Sequence, residues 1–329
     1  MEISVAFAPS NDTPTHIAVA EDLGFRRAWC YDSPAYYVDP WVTLARAADR
    51  TSTIGLGVGV LVPSLRHLMV TAGAVASLAA LSEGRLSLAV GTGFSGRMAL
   101  GHRAMKWAEV EAYVAALRGL LRGDVVDWDG RKIQMQHPQG FVASHPISVP
   151  IWIAADGPKG FAVANRYGDG AFFAPTPHAT AVEKLPAKSL LVFGTVLDEG
   201  ELPMSARAID AYSAQLAAIY HIAYERGGAT VVDSLPGGSE WRRGIESIAS
   251  EYRHLAIHQG HLVSPNELDQ VIIREGVSVA ENLLWVDTVD NLRKRVQAME
   301  DEGITEIVLQ PAGSNIVREL EAFASLITH

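Results

Sequence analysis

Short apolar runs alternate along the chain with longer segments whose apolar positions recur every three to four residues. Ile3–Ala6 predicts a strand, and Pro14–Leu23 an amphipathic helix stopped at Gly24. The pattern repeats with a strand at Ala28–Tyr31 and a helix at Pro40–Ala48. It continues with a strand at Ile54–Val60 and a long Ala-rich helix at His67–Leu81, then a strand at Leu86–Val90 and a helix at Ala104–Leu121. Asp124–Gln134 breaks this rhythm: Asp129-Gly130 between two alternating runs predicts a two-residue hairpin. Beyond it follow a strand at Ile151–Ala154, a helix at Pro158–Tyr167 and strands at Ala171–Phe173 and Ser189–Val196. The stretch from Asp198 to Glu275 reads as mostly helical. A helix at Val289–Glu302, a strand at Glu306–Gln310 and a helix at Val317–Ile327 close the chain.

Eight strands separated mostly by helices need a parallel sheet with right-handed crossovers. The expected fold is therefore α/β, a closed (β/α)8 TIM barrel. The helical stretch, approximately 198–280, is expected as an insertion before the last βα unit. With no linker or low-complexity segment, residues 1–329 are expected to form one domain.

Composition narrows the class. The 329 residues are 48% hydrophobic, enough for a full core, and carry 27 Lys+Arg against 37 Asp+Glu for a net charge of −10. That balance argues against nucleic acid as a partner, since phosphate binding needs a basic face. A single cysteine, Cys30, excludes a disulfide framework and a cysteine-built metal site. No basic leader or membrane-length apolar run is present, so a soluble cytoplasmic protein is expected, with no membrane partner.

The candidate chemistry lies in glycines where strands end. Gly91-Thr92-Gly93-Phe94-Ser95-Gly96 spells G-x-G-x-x-G, with Glu109 or Glu111 downstream for a ribose contact. In a dinucleotide-binding fold this motif belongs to the first βα unit, whereas here three units precede it. A tight turn, or close backbone approach to a flat cofactor, are the other readings. Gly55, Gly57 and Gly59 leave one face of the third strand bare, either for a bulky neighbour or for an aromatic ring system. Ala154-Ala155-Asp156-Gly157-Pro158-Lys159-Gly160 opens a helix whose free N–H groups suit a phosphate. Gly168-Asp169-Gly170 forms a second glycine turn that could share it, unless both are ordinary turns.

Taken in order, several segments resemble the bacterial luciferase-like superfamily, most of all the branch of methylenetetrahydromethanopterin reductase and related flavin- or deazaflavin-dependent oxidoreductases. They are Ala20–Phe25, Ala28–Asp32, Gly57–Val60 with Pro63, Arg66 and His67, Leu81–Arg85 leading to Gly91–Gly93, Pro150–Ala155 with Gly157-Pro158, and Gly168–Gly170. The resemblance covers residues 1–175 and recurs in the last βα unit. It implies a barrel that binds FMN or coenzyme F-420 at the C-terminal ends of its strands, usually as a homodimer. It also implies hydride transfer or monooxygenation of a small-molecule substrate. By the same resemblance Asp32, Gly59 and Val60 (joined by a cis peptide), Thr92 and Gly93 would meet the ring, with Ser95 and Arg97 nearby. Ala155, Asp156, Gly157, Pro158, Lys159, Gly168, Asp169 and Gly170 would hold the phosphate. Sugar-phosphate dehydrogenases of the family carry a His and a Glu where this chain has Ser33 and Phe94. This departure favours a reductase or a monooxygenase, whose chemistry is mostly the cofactor's own.

Proton donors are sought in the unmatched insertion. His254, His258 and His261 fall on one helical face, while Tyr220 and His221 form a second pair. His258, His261, Tyr220 and His221 are the candidate catalytic residues. Three imidazoles on one face could alternatively ligate zinc, giving a zinc hydrolase on His254, His258 and His261, or form a structural cluster. A barrel that binds a flavin without catalysis is a further alternative. Tyr36, Tyr37 and Trp41 are candidates for core or substrate wall, and Arg66 and His67 for an anionic cofactor tail.

Overall fold

The computed structural model describes residues 1–327. Its strands are β1 (Glu2–Phe7), β2 (Arg27–Cys30), β3 (Gly55–Leu61), β4 (Leu86–Val90), β5 (Val126–Trp128), β6 (Arg131–Ile133), β7 (Ile151–Ala154), β8 (Gly170–Phe173), β9 (Ala187–Leu197), β10 (Trp285–Thr288) and β11 (Glu306–Gln310). β1, β2, β3, β4, β7, β8, β9 and β11 pair in that order, all parallel, and β11 returns to β1. The sheet closes on itself into the expected (β/α)8 barrel.

Each barrel strand is buried on both faces over most of its length, as all-parallel sheets require. Val5, Cys30, Val58, Leu88, Ile153 and Leu309 face the surrounding helices, while Ala6, Trp29, Ala89, Trp152, Phe172, Leu191 and Val308 fill the interior. The barrel floor is polar. Arg27 Nη1 donates to Glu306 Oε1 at 2.8 Å, and the hydroxyls of Ser4 and Ser189 donate to the same carboxylate. Above it the Arg27 guanidinium lies 5.0 Å from the Trp152 ring centroid, and Trp29 meets both Trp152 and Phe172 edge to face.

β5 and β6 form the expected hairpin, with Asp129 and Gly130 both at positive φ. The helix expected from Ala104 starts instead at Trp107 and runs to Arg122, because Glu109 caps the Lys106 backbone N–H. A short helix at Ser95–Met98, which the apolar pattern does not show, precedes it.

β9 is longer than expected and serves two layers. Its first half completes the barrel, and Gly194–Leu197 pairs with β10. β10 has no counterpart among the expected strands, since four residues paired only at a strand's far end leave little periodic signal. At the junction Gly194 (φ +150°) passes so close to Trp285 that a Cβ would lie 2.2 Å from its carbonyl oxygen.

The insertion leaves the C-terminal end of β9 and stays helical to Leu283. Its helices are Ala206–Val232, Gly238–Glu246, Arg253–Ile257, Gln270–Glu275 and Val277–Leu283. They build a second core from Tyr212, Leu216, Tyr220, Trp241, Ile245, Ile272 and Leu284. Among the described residues, no helix is long and apolar enough to cross a membrane.

Candidate functional site

The C-terminal ends of the barrel strands are roofed by the insertion. Tyr31, at the end of β2, donates to Gln310 Oε1 at 2.7 Å, and Gln310 Nε2 donates to the Leu262 carbonyl at 2.9 Å. Tyr37 donates to the His261 carbonyl at 2.6 Å. Leu262 itself packs onto the interior barrel cluster. The centre of the mouth is therefore filled by protein, while Val60, Thr92, Ser95 and Gly157 on the β3–β4–β7 side stay partly exposed.

On that rim the Gly59–Val60 peptide is cis, and the β3–β4 register shifts between Gly59 and Leu61. The three glycines of the G-x-G-x-x-G segment each make room for a neighbouring loop. A Cβ on Gly91 would strike Val60, one on Gly93 would strike Val62, and one on Gly96 would press on Ser33. Arg97 holds the Ser64 hydroxyl and the Arg103 carbonyl, tying the β3 and β4 exits together. Glu109 and Glu111 are engaged elsewhere, by the helix cap and by Arg166. The segment is thus a packed rim loop on the fourth barrel strand, and the dinucleotide reading fails. Val60, Thr92, Phe94 and Ser95 stay partly exposed.

Next along the rim, Pro158 opens the helix Pro158–Tyr167 with Gly157 as its N-cap and no side chain capping it. A Cβ on Gly157 would meet nothing within 4 Å. Arg226 reaches down from the insertion, its guanidinium 4.7 Å from the Phe94 ring centroid and 3.4 Å from Asp156. Main-chain N–H groups, Arg226 and exposed Lys159 are the donors that an anion at this corner could use.

Several expected site residues are placed elsewhere. Gly168, Asp169 and Gly170 follow the C-terminal end of that ten-residue helix and so lie at the opposite, N-terminal end of the barrel. A helix of this length spans about 15 Å. Asp169 there accepts from the Ile151 N–H at 2.8 Å and pairs with Arg118 at 2.6 Å. Gly170 leaves room for Trp152, whose Nε1 would be 2.4 Å from its Cβ. These three cannot share a phosphate with Gly157. The bare glycine face of β3 is likewise filled, by Trp29 against Gly57 and Gly59 and by Arg27 against Gly55. That face seats a bulky neighbour, so the ring face of any cofactor falls to the rim beyond Gly59.

Asp32 is buried beneath the rim, chelating Arg66 Nη1 at 2.6 and 2.8 Å. Burial raises its pKa, against the opposing pull of Arg66. Arg66 also binds Asp39, and His67 caps the next helix through the Met69 N–H, so neither is free for an anionic tail. Trp41 belongs to the outer core. Tyr36 and Tyr37 stand at the mouth, the Tyr36 ring centroid 5.4 Å from that of His261.

In the insertion, Tyr220 donates to the Pro236 carbonyl within the second core. His258 and His261 do meet, Nδ1 to Nδ1 at 3.3 Å, and the third member of their group is His221. His254 lies apart, partly exposed, because the helix ends at Ile257 and the chain turns through Gly260 at φ +76°. The three-histidine face expected of His254, His258 and His261 does not form. Burial, then the neighbouring imidazoles, lowers the His261 pKa well below its ordinary value. Beside the group a cleft of about 510 Å³ opens between Met98, Tyr224, Glu225 and His254.

The profile described as luciferase-like monooxygenase matches residues 5–188. The chain belongs to this family. Over 334 residues the luciferase-like chain is 28% identical to the 5,10-methylenetetrahydromethanopterin reductase of Methanolobus tindarius, covering 96% of both. It is 31% identical over 168 residues to the F-420-dependent hydroxymycolic acid dehydrogenase of Mycobacterium tuberculosis (strain ATCC 25618 / H37Rv), covering 47% of this chain and 46% of that one. Its fold is shared with the coenzyme F-420-dependent tetrahydromethanopterin reductase from Methanopyrus kandleri, with a TM-score of 0.67, 19% identity and 99% of each chain covered.

The family profile covers the rim loops of the luciferase-like chain and ends at residue 188, before the insertion. The arrangement of the insertion escaped sequence reading because His221 and His258 are 37 positions apart, and Glu225 and Asp269 carry no spacing signal.

Proposed function

We propose that this protein is an oxidoreductase that binds coenzyme F-420 on the β3–β4–β7 rim and exchanges a hydride with a small organic substrate. The reading is carried by the open corner at Gly157: a helix N-terminus without a side-chain cap, next to Arg226 and on the same rim as partly exposed Val60 and Thr92. The F-420-dependent relative and the fold neighbour named for the same coenzyme favour the deazaflavin over FMN.

The residues present fit such a group. A planar ring would lie against partly exposed Val60 and Thr92 at the rim, and the first-turn N–H groups after Gly157 can take a phosphate oxygen. When bound, the ring supplies or accepts the hydride, as cofactors of this class do. Arg226 adds positive charge from above, and Phe94 beneath it offers an apolar wall. The His261–Leu262 segment, held by Tyr37 and Gln310, keeps water out of the barrel centre. Homodimer assembly is part of the same proposal.

The test is a fluorescence titration of the purified protein with F-420 and, separately, with FMN. Saturable F-420 binding, weakened in Arg226→Ala, supports the reading. Preference for FMN would transfer it to a flavin enzyme. No binding of either at high micromolar concentration would overturn it.

A further inference from the structure

The insertion holds a buried polar group for which the proposed hydride transfer has no use. His221, on the helix Ala206–Val232, and His258 and His261, on the segment crossing the mouth, each bring a ligand atom within 4.8 Å of the others. All three are more than nine-tenths buried.

Their hydrogen bonds fix which way the rings face. His221 Nε2 lies 3.0 Å from Asp269 Oδ1, and His258 Nε2 lies 2.7 Å from Glu225 Oε1. A carboxylate accepts, so both Nε2 atoms carry the proton, and in the neutral ring both Nδ1 atoms carry lone pairs. His221 Nδ1 is buried without any partner. His258 Nδ1 faces His261 Nδ1 at 3.3 Å, long for a hydrogen bond between nitrogens. Asp269 is itself fixed, accepting from Trp241 Nε1 at 2.9 Å and from the Asn266 N–H at 3.0 Å.

His221 and His258, each held by a carboxylate on one ring nitrogen with the other nitrogen left for a ligand, have the surroundings of metal-binding histidines. The spacing agrees. Two nitrogens each about 2.0–2.1 Å from a tetrahedral zinc ion stand about 3.3 Å apart. A purely structural cluster would leave His221 Nδ1 buried and unpaired, which native proteins seldom tolerate.

We propose that His221, His258 and His261 bind one divalent transition-metal ion through their Nδ1 atoms, with Asp269 and Glu225 as positioning residues. Three nitrogen donors without thiolate or first-rank carboxylate select zinc, cobalt or nickel over magnesium or calcium. His261 binds as the tautomer protonated at Nε2, so no proton leaves the protein. The ion fastens the segment carrying His261 and Leu262, which closes the barrel mouth, to the long insertion helix. This site replaces a proton-donor role for the three histidines and is independent of which cofactor the rim binds.

The test needs no flavin. The full-length protein is stripped with a chelator and titrated with Co²⁺, then with Zn²⁺. Expected are one Co²⁺ per chain with the visible ligand-field absorption of a low-coordinate nitrogen site, its displacement by Zn²⁺, and a metal-dependent rise in Tm. His221→Gln abolishes the band, and His254→Gln, outside the group, keeps it. Glu225→Gln leaves all three ligands in place and weakens binding about 10–100-fold. Absence of saturable binding to the unsubstituted protein would overturn the proposal, as would a Co²⁺ spectrum unchanged by His221→Gln.

Discussion

Trp29 stands against Gly57 so closely that a Cβ on the glycine would lie 2.2 Å from Trp29 Cε3. Strand β3 has glycines facing inward because β2 fills the barrel with an indole. Gly57→Ala is expected to destabilise the protein by about 1–3 kcal/mol through overpacking. Trp29→Phe, which replaces the clashing indole by a smaller ring, should recover much of that loss in the double variant. Urea unfolding of both single variants and the pair measures the coupling, and additive effects would contradict the packing account.

The two glycine turns differ in the same way. Gly157 has open space and extended φ (−165°), so Gly157→Ala should leave stability nearly unchanged. Gly170→Ala drives a methyl into Trp152 and should lower Tm by several degrees. Thermal unfolding of the two variants compares them directly.

The Arg27–Glu306 pair sits on the barrel floor with neither side chain more than a tenth exposed. Glu306→Gln leaves a buried guanidinium without its counter-charge, at an expected cost of about 3–5 kcal/mol. Replacing both partners by apolar residues should cost less than the single change, as denaturant midpoints would show.

At acid pH two carboxylates should dominate the loss of stability. The Arg207 guanidinium holds Glu201 down to about 2 from an ordinary 4.5. Against the upward push of burial, the N–H groups of Ile54, Thr53 and Ser52 hold Glu21 to about 2 as well. Both folded values lie below the unfolded one. Their stabilisation is therefore complete above about pH 4.5 and is lost as pH falls from there towards 2. Glu201→Gln should flatten that part of the stability–pH curve while lowering stability at pH 7.

Arg226 is exposed, so its contribution to anion binding is modest. Arg226→Ala should weaken F-420 binding by about two- to five-fold, the scale of an exposed ion pair, and reduce its salt dependence. Asp156→Asn, which removes a negative charge from the same corner, should strengthen it. Fluorescence titrations at two ionic strengths read both effects.

The barrel could be read from the chain because its signals are local. Each of the eight strands carries a run of apolar residues and each intervening helix a recurring apolar face, and Asp129-Gly130 marks its own turn. The rim loops were also legible, since Gly91, Gly93 and Gly157 follow strands directly. Tertiary structure decided everything that depends on residues meeting across the fold. It placed Gly168–Gly170 at the wrong end for a shared phosphate, because a strand carries the chain from one end of the barrel to the other and the following helix brings it back. It turned the bare face of β3 into a socket for Trp29, and it exchanged His254 for His221 when the chain broke helix near Gly260. Periodicity reports which side of an element is buried, but not which distant side chain will fill the space beside it.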